Sequence, residues 1–115
     1  MDNEEFGGVI KMKKGDKLFV RIDYKLEENK SSSNDFNDHI KYLSGVASER
    51  YFVGGGFSNT VGGMIIFEAK DLTQAKEVAD NDPLIKRNLY RYELFEWDLV
   101  ILSDEIQKIR TPKDK

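Results

Sequence analysis

Apolar and polar positions alternate first over residues 17 to 25, "KLFVRIDYK", with Leu18, Val20, Ile22 and Tyr24 on one side and Phe19, Arg21, Asp23 and Lys25 on the other. A two-residue period is that of a β-strand. The polar stretch "LEENKSSSND" ends it. Its serines, Asn34 and Asp35 suit a helix start, because their side chains accept hydrogen bonds from free N–H groups. Phe36, Ile40, Leu43 and Ala47 then recur at steps of four, three and four, which predicts a helix from near Asp35 to near Arg50. Two short β-like runs follow, "YFVGGGFS" and "VGGMIIFEA", read as a hairpin or two adjacent strands. In "KDLTQAKEVADND", Asp71 and Gln74 stand three apart as in a capping box, and Leu72, Ala75, Val78 and Ala79 form a stripe. Pro83 disfavours helical geometry at Asp82 and so predicts the end of this second helix. "NLYRYELFEWDLVIL" reads as a last, long strand.

The predicted order is β-α-β-β-α-β, which implies an α+β, ferredoxin-like split βαβ fold: an antiparallel sheet with both helices on one face. The other face then lacks cover while carrying aromatic and aliphatic side chains, so a homodimer through that face, a dimeric α/β barrel, is expected. Residues 17–102 make up this domain. Residues 1–16 form an N-terminal extension able to add an edge strand, and residues 103–115 a charged tail expected to fray.

Composition narrows the partners. The 115 residues hold 18 basic and 21 acidic side chains, a formal net charge of −3, without the basic stripe that neutralising many phosphates requires. Nucleic acid is not an expected partner. An RNA-recognition domain shares the element order, but "GGMIIFEA" lacks its basic, aromatic-rich pattern. An acylphosphatase would need a glycine-rich anion loop and arginine after the first strand, where "LEENKSSSND" stands. With no cysteine, the chain has no thiolate nucleophile, disulfide or Cys-based metal site. Apolar runs such as "LVIL" and "MIIF" are too short to span a bilayer, and "MDNEEFGG" does not start a signal peptide. No membrane association and a cytoplasmic location are expected.

Two residues draw attention to chemistry. His39, the sole histidine, falls at the edge of the first helix's apolar stripe and should be half-buried. An imidazole so placed can act as a general base when a carboxylate holds its tautomer. It can equally be a surface histidine making an ordinary hydrogen bond. Asp82 would continue the second helix onto its apolar face beside Ala75 and Ala79, near a helix C-terminus that disfavours negative charge. Such a carboxylate needs a cation, N–H groups or a functional role, and the plain alternative is an Asp-Pro turn in which it bonds the backbone of Leu84 or Ile85. Asp35 and His39, four apart, are too few ligands for a metal, and none is expected. "GGGFSN" opens a turn between strands and is no dinucleotide fingerprint, so no cofactor is expected.

The ordered set "DHIKYLSGVASERYFVGGG", "GGMIIFEAKDLTQAKEVADNDPL" and "YRYELFEWDLVI" resembles the YCII-related family over residues 17 to 102. That resemblance implies a ferredoxin-like dimer with a cleft holding a His and Asp pair, here His39 and Asp82. It also implies proton-transfer chemistry, some relatives being dehydrochlorinases of chlorinated hydroxyquinol-type rings. Many relatives carry Gly-Pro at the end of the second strand and an acidic residue in the next loop, whereas "GGGFSNTVGG" has neither. Ser58 and Asn59 stand there instead and, with Tyr42 and Trp97, are the expected ligand contacts. The expected ligand is a small molecule, perceived either by an enzyme doing acid–base or elimination chemistry or by a module that only binds it or dimerises.

Overall fold

The computed structural model describes residues 14–27 and 30–107. Its elements are β1 (Lys17–Lys25), α1 (Ser33–Ala47), β2 (Phe52–Gly56), β3 (Gly63–Phe67), α2 (Leu72–Asp80), α3 (Pro83–Lys86), β4 (Tyr90–Asp98) and α4 (Asp104–Gln107). The strands form one antiparallel sheet in the order β2-β3-β1-β4, the ferredoxin-like arrangement. In β1 and β3, Phe19 lies opposite Phe67 and Asp23 opposite Gly63. In the β2–β3 hairpin, Phe52 faces Phe67 and Gly56 faces Gly63. The Phe57 N–H donates to Gly62 O at 2.9 Å and closes the loop. Gly62 adopts φ 105°, and a Cβ on it would lie 2.5 Å from Asp23 O, so a side chain there would push the hairpin off β1.

Local chemistry sets the helix ends. The first helix begins at Ser33, two residues before the sequence expectation, because Ser32 is the better cap. Ser32 Oγ accepts from Asp35 N at 3.2 Å while the Asp35 carboxylate accepts from Ser32 N at 2.9 Å, a reciprocal capping box. The helix ends at Ala47, short of Arg50, where the Ser48 hydroxyl donates to Gly45 O at 2.7 Å. Asp71 caps α2 by accepting from Gln74 N at 2.8 Å. Beyond Asn81 the chain starts a separate turn, α3, with Asp82 as its N-cap and Pro83 first inside.

Both helices cover one sheet face, where Phe19, Ile65 and Phe67 pack with Leu43 and Val46 of α1 and Ala75 and Val78 of α2. Along β1 this inner face is the one bearing the charges: Phe19, Arg21 and Asp23 are buried, whereas Val20, Ile22 and Tyr24 of the more apolar side are only partly covered. On the uncovered face Phe95 and Trp97 of β4 remain 49% and 45% exposed, and Met64 of β3 and Val53 of β2, across β1 from them, are exposed too. The open apolar face expected from the sequence is therefore present. Leu72, assigned to the α2 stripe, is exposed.

Of the described residues, 14–17 and 98–107 belong to a unit distinct from the one that holds the sheet and the helices α1 to α3. Within it, Gly15 N donates to Leu99 O and Leu99 N to Asp16 O, both at 2.9 Å. Most of the segment able to supply an edge strand, residues 1–13, and the tail beyond residue 107 lie outside the described residues.

Candidate active site

The second half of the helix-covered face is ionic. Arg21 is 1% exposed, and its Nε donates to Asp23 Oδ1 at 2.7 Å and its Nη2 to Asp23 Oδ2 at 3.1 Å. Nη2 also donates to Asp82 Oδ2 at 2.8 Å, so one guanidinium joins two carboxylates. Tyr92 lies against the guanidinium, with Cζ 5.8 Å from the ring centroid. Asp82 is fully buried and accepts Leu84 N at 3.0 Å, so the turn-type bond of the plain reading is made. The same carboxylate meets His39 Nδ1 at 2.8 Å from each oxygen, 43 positions away in the chain. The second answer to why a carboxylate occupies that apolar position is thus Arg21 and His39 together.

These contacts order the protons. Burial pushes the Asp82 carboxyl up, but the His39 hydrogen bond and the Arg21 charge outweigh it and hold it below the usual carboxylate range. For Asp23 burial wins over Arg21, and its carboxyl is raised. An ionised Asp82 only accepts, so His39 Nδ1 carries hydrogen and Nε2 is the ring nitrogen left for a ligand. The His39 side chain is 17% exposed, half-buried as the helical wheel implied.

His39 and Asp23 lie on the wall of a cavity of about 440 Å³. All four residues of the first helix's apolar stripe, Phe36, Ile40, Leu43 and Ala47, line it too. Only Leu43 of these is a buried core residue; Ile40 is 59% exposed, so the stripe that reads as core is mostly cavity wall. Opposite stand the glycines of β2 and β3, among them Gly54, Gly55 and Gly63, which offer backbone instead of side chains. Tyr90 closes the polar end, its hydroxyl raised first by burial and then by the Asp23 charge.

The other expected ligand contacts are placed elsewhere. Ser58 and Asn59 are exposed in the hairpin loop and do not line this cavity. The Tyr42 hydroxyl donates to Val78 O at 2.8 Å and ties α1 to α2. Trp97 alternates with the inward Tyr90, Tyr92 and Leu94 and so belongs to the open face. Asp35 is engaged by Ser32 and by Arg87 Nη1 at 2.8 Å, in its capping role. Among the described residues no group of three or more His, Asp or Glu is disposed to hold a metal ion. Sequence reasoning passed over Arg21 and Asp23, whose signal was an opposite-charge pair two residues apart on the strand side shared with Phe19.

A model of the YCII-related domain matches residues 18–98, so the chain belongs to that family. Among solved structures it is similar to 5-chloro-2-hydroxyhydroquinone dehydrochlorinase from Burkholderia phenoliruptrix AC1100, in complex with 2,5-dihydroxybenzoquinone. The TM-score is 0.61 at 21% identity, covering 70% of this chain and 93% of that one, a likeness that establishes the fold. No curated protein matches the sequence. No helix among the described residues is long and apolar enough to cross a membrane.

Proposed function

We propose, from that family membership, that the chain is a small-molecule proton-transfer enzyme acting on a compact, planar, enolisable or hydroxylated ring compound, with His39 as the base. The observation that carries this reading is the Nδ1 contact of 2.8 Å to buried Asp82 from a histidine on the cavity wall. Asp82 fixes the tautomer and stabilises the imidazolium that forms when Nε2 takes a proton. The flat glycine wall facing Phe36 and Ile40 suits a ring, and a cavity of about 440 Å³ suits one of modest size. In the elimination version, Nε2 removes the proton from a carbon next to one bearing a leaving group. The C–H electrons form the new double bond, and the leaving group departs with its bonding pair. The likeness to a dehydrochlorinase in complex with 2,5-dihydroxybenzoquinone supports the choice of probe.

The test is binding of 2,5-dihydroxybenzoquinone, followed by its visible absorbance, and exchange of its ring hydrogens with D₂O, followed by proton NMR. His39→Gln should bind the probe within a few-fold of wild type and exchange it about 10²–10⁴ times more slowly. Binding without exchange above the uncatalysed rate in the wild type would reduce the protein to a ligand-binding module.

The open sheet face supports a second part of the reading, self-association. Phe95, Trp97, Val53 and Met64 form exposed apolar surface on one face, the kind that a second copy of the chain would cover. Sedimentation should give a dimer for the wild type and a monomer for Trp97→Glu; a monomeric wild type at micromolar concentration would remove this part.

A further inference from the structure

The cavity wall carries a second acid–base group that the His39 reading does not use. Asp23 reaches the same cavity from β1, on the strand opposite Gly63, while His39 comes from α1. The groups facing Asp23 are Arg21 of its own strand, His39 of α1, Asp82 at the start of α3 and Tyr90 of β4, with Tyr92 behind the guanidinium. Arg21 alone cannot balance this set. One positive charge stands against two carboxylates, both in a buried region, and an uncompensated charge in such a place is costly. One further proton makes the cluster neutral. Two groups can hold it, the His39 ring and the Asp23 carboxyl, because Asp82 is committed as acceptor to Arg21, His39 and Leu84. Arg21 takes one lone pair on each Asp23 oxygen, which leaves a lone pair on each for a proton. The remaining guanidinium nitrogen, Nη1, is buried without a hydrogen-bond partner among the described residues.

We propose that Asp23 is a second catalytic residue of this cavity, coupled to His39 through Arg21 and Asp82 so that the two share one proton, and a carbonyl ligand gives a proton to one as it receives a proton from the other. The inference rests on the proton-transfer reading above and names its substrate class, an enolisable carbonyl compound. In the forward step the ligand C–H proton passes to His39 Nε2, the C–H pair becomes the C=C bond, and the carbonyl π pair takes the Asp23 proton to give an enol. Before the step the charges are Arg21 positive and Asp82 negative; after it they are Arg21 and His39 positive and Asp23 and Asp82 negative. The sum is zero in both, so the transfer creates no net charge in the buried cluster. The raised carboxyl of Asp23 and the lowered one of Asp82 accord with one being a proton donor and the other a fixed anion.

The experiment follows the Asp23 side-chain carboxyl carbon by ¹³C NMR across pH in the wild type and in His39→Gln. Two groups sharing a proton titrate as a pair, so the wild-type curve has two steps, and His39→Gln reduces it to one. A single step that is the same in both proteins overturns the shared proton. Exchange of 2,5-dihydroxybenzoquinone separates this inference from the reading beneath it. Asp23→Asn should slow exchange by about 10²-fold while leaving probe binding within a few-fold. Full exchange in Asp23→Asn with lost exchange in His39→Gln overturns the role of Asp23 and leaves His39 as the base; full exchange in both overturns both.

Discussion

The covered face of the sheet has two halves built from the same strand. Phe19 joins Ile65, Phe67, Leu43 and Val78 in an apolar core, and two and four residues on, Arg21 and Asp23 join Asp82 and His39 in an ionic cluster. Both halves are buried, yet they are held by different physics. The apolar half gains from removing surface from water, a non-directional effect that many side chains of similar volume supply. The ionic half pays desolvation on each charge and recovers it only through specific partners at 2.7 to 3.1 Å, so every member depends on the others. Shape is interchangeable in the first half and identity is fixed in the second. The cavity lies against the ionic half, with His39 and Asp23 on its wall.

The largest expected effect sets the halves against each other. Phe67→Ala should cost about 3–5 kcal/mol through the cavity it leaves in the core. Asp82→Ala should cost about 3–5 kcal/mol as well, because it removes one of the two carboxylates paired with the buried Arg21 guanidinium and the partner of His39. Their pH dependence distinguishes them in urea unfolding. Because the folded-state carboxyl of Asp82 is lowered, its stabilisation is full above the ordinary carboxylate pKa and is lost as pH falls through the lower folded value. The penalty of Asp82→Ala should therefore be full at neutral pH and shrink in acid, while that of Phe67→Ala should not. Asp23 has the opposite sign: its raised carboxyl costs stability when ionised, and acidification through its folded value relieves that cost. Asp23→Asn should accordingly remove a rise in stability seen on mild acidification. Equal pH curves for wild type and both Asp variants would break the distinction between the halves.

The apolar half was far more legible in the sequence than the ionic half. Periodicity located the strands and helices, and hence the order that brings β1 between β3 and β4. It also suggested Asp82, since a carboxylate on an otherwise apolar helix face violates the pattern it sits in. His39 stood out as the sole histidine, but its meeting with Asp82 spans 43 positions and depends on α3 turning back toward α1, which no local pattern encodes. Arg21 and Asp23 were hidden because alternation says which residues share a side and not which side is inward. The charged side of β1 passes for solvent-facing until the helices are seen to lie on it. The first helix's stripe misled in the other direction: a cavity wall and a core use the same side chains, and Phe36 and Ile40 face a space with no residue filling it. Ser58 and Asn59 were chosen for their hydroxyl and amide, but of the six-residue loop they occupy only Gly62 lines the cavity.

A smaller effect probes the boundary between the halves, where the cavity floor is made of glycine. A Cβ on Gly54 would stand 2.9 Å from Ile65 Cγ1, a core atom, whereas one on Gly55 would meet nothing within 4 Å. Gly54→Ala should cost about 1–3 kcal/mol by overpacking and weaken binding of 2,5-dihydroxybenzoquinone. Gly55→Ala should leave both near wild type. A Gly54→Ala protein of unchanged stability and affinity would mean that the floor is not rigid and that its glycines do not shape the site.

The least effect on stability should come from Arg87, and it sharpens the comparison because it lies outside both halves while holding the ionic one in register. Its Nη1 donates to Asp35 Oδ1 and its Nη2 to Asp38 Oδ2, both at 2.8 Å. Asp38 immediately precedes His39, and Arg87 caps the C-terminal end of the α3 turn that Asp82 opens. The fork thus ties the two elements that bring the dyad together. Being exposed, it is screened by salt and adds little to folding. Arg87→Ala should therefore shift the unfolding midpoint only slightly, and that shift should vanish at high ionic strength. Deuterium exchange into 2,5-dihydroxybenzoquinone responds to geometry more steeply than stability does, since a loosened His39–Asp82 contact misdirects Nε2. The variant should lose several-fold in exchange with binding nearly unchanged, and 1 M salt should bring the wild type part of the way to the same rate. Equal exchange by the two proteins at low salt would show that the buried contacts alone hold His39 on Asp82.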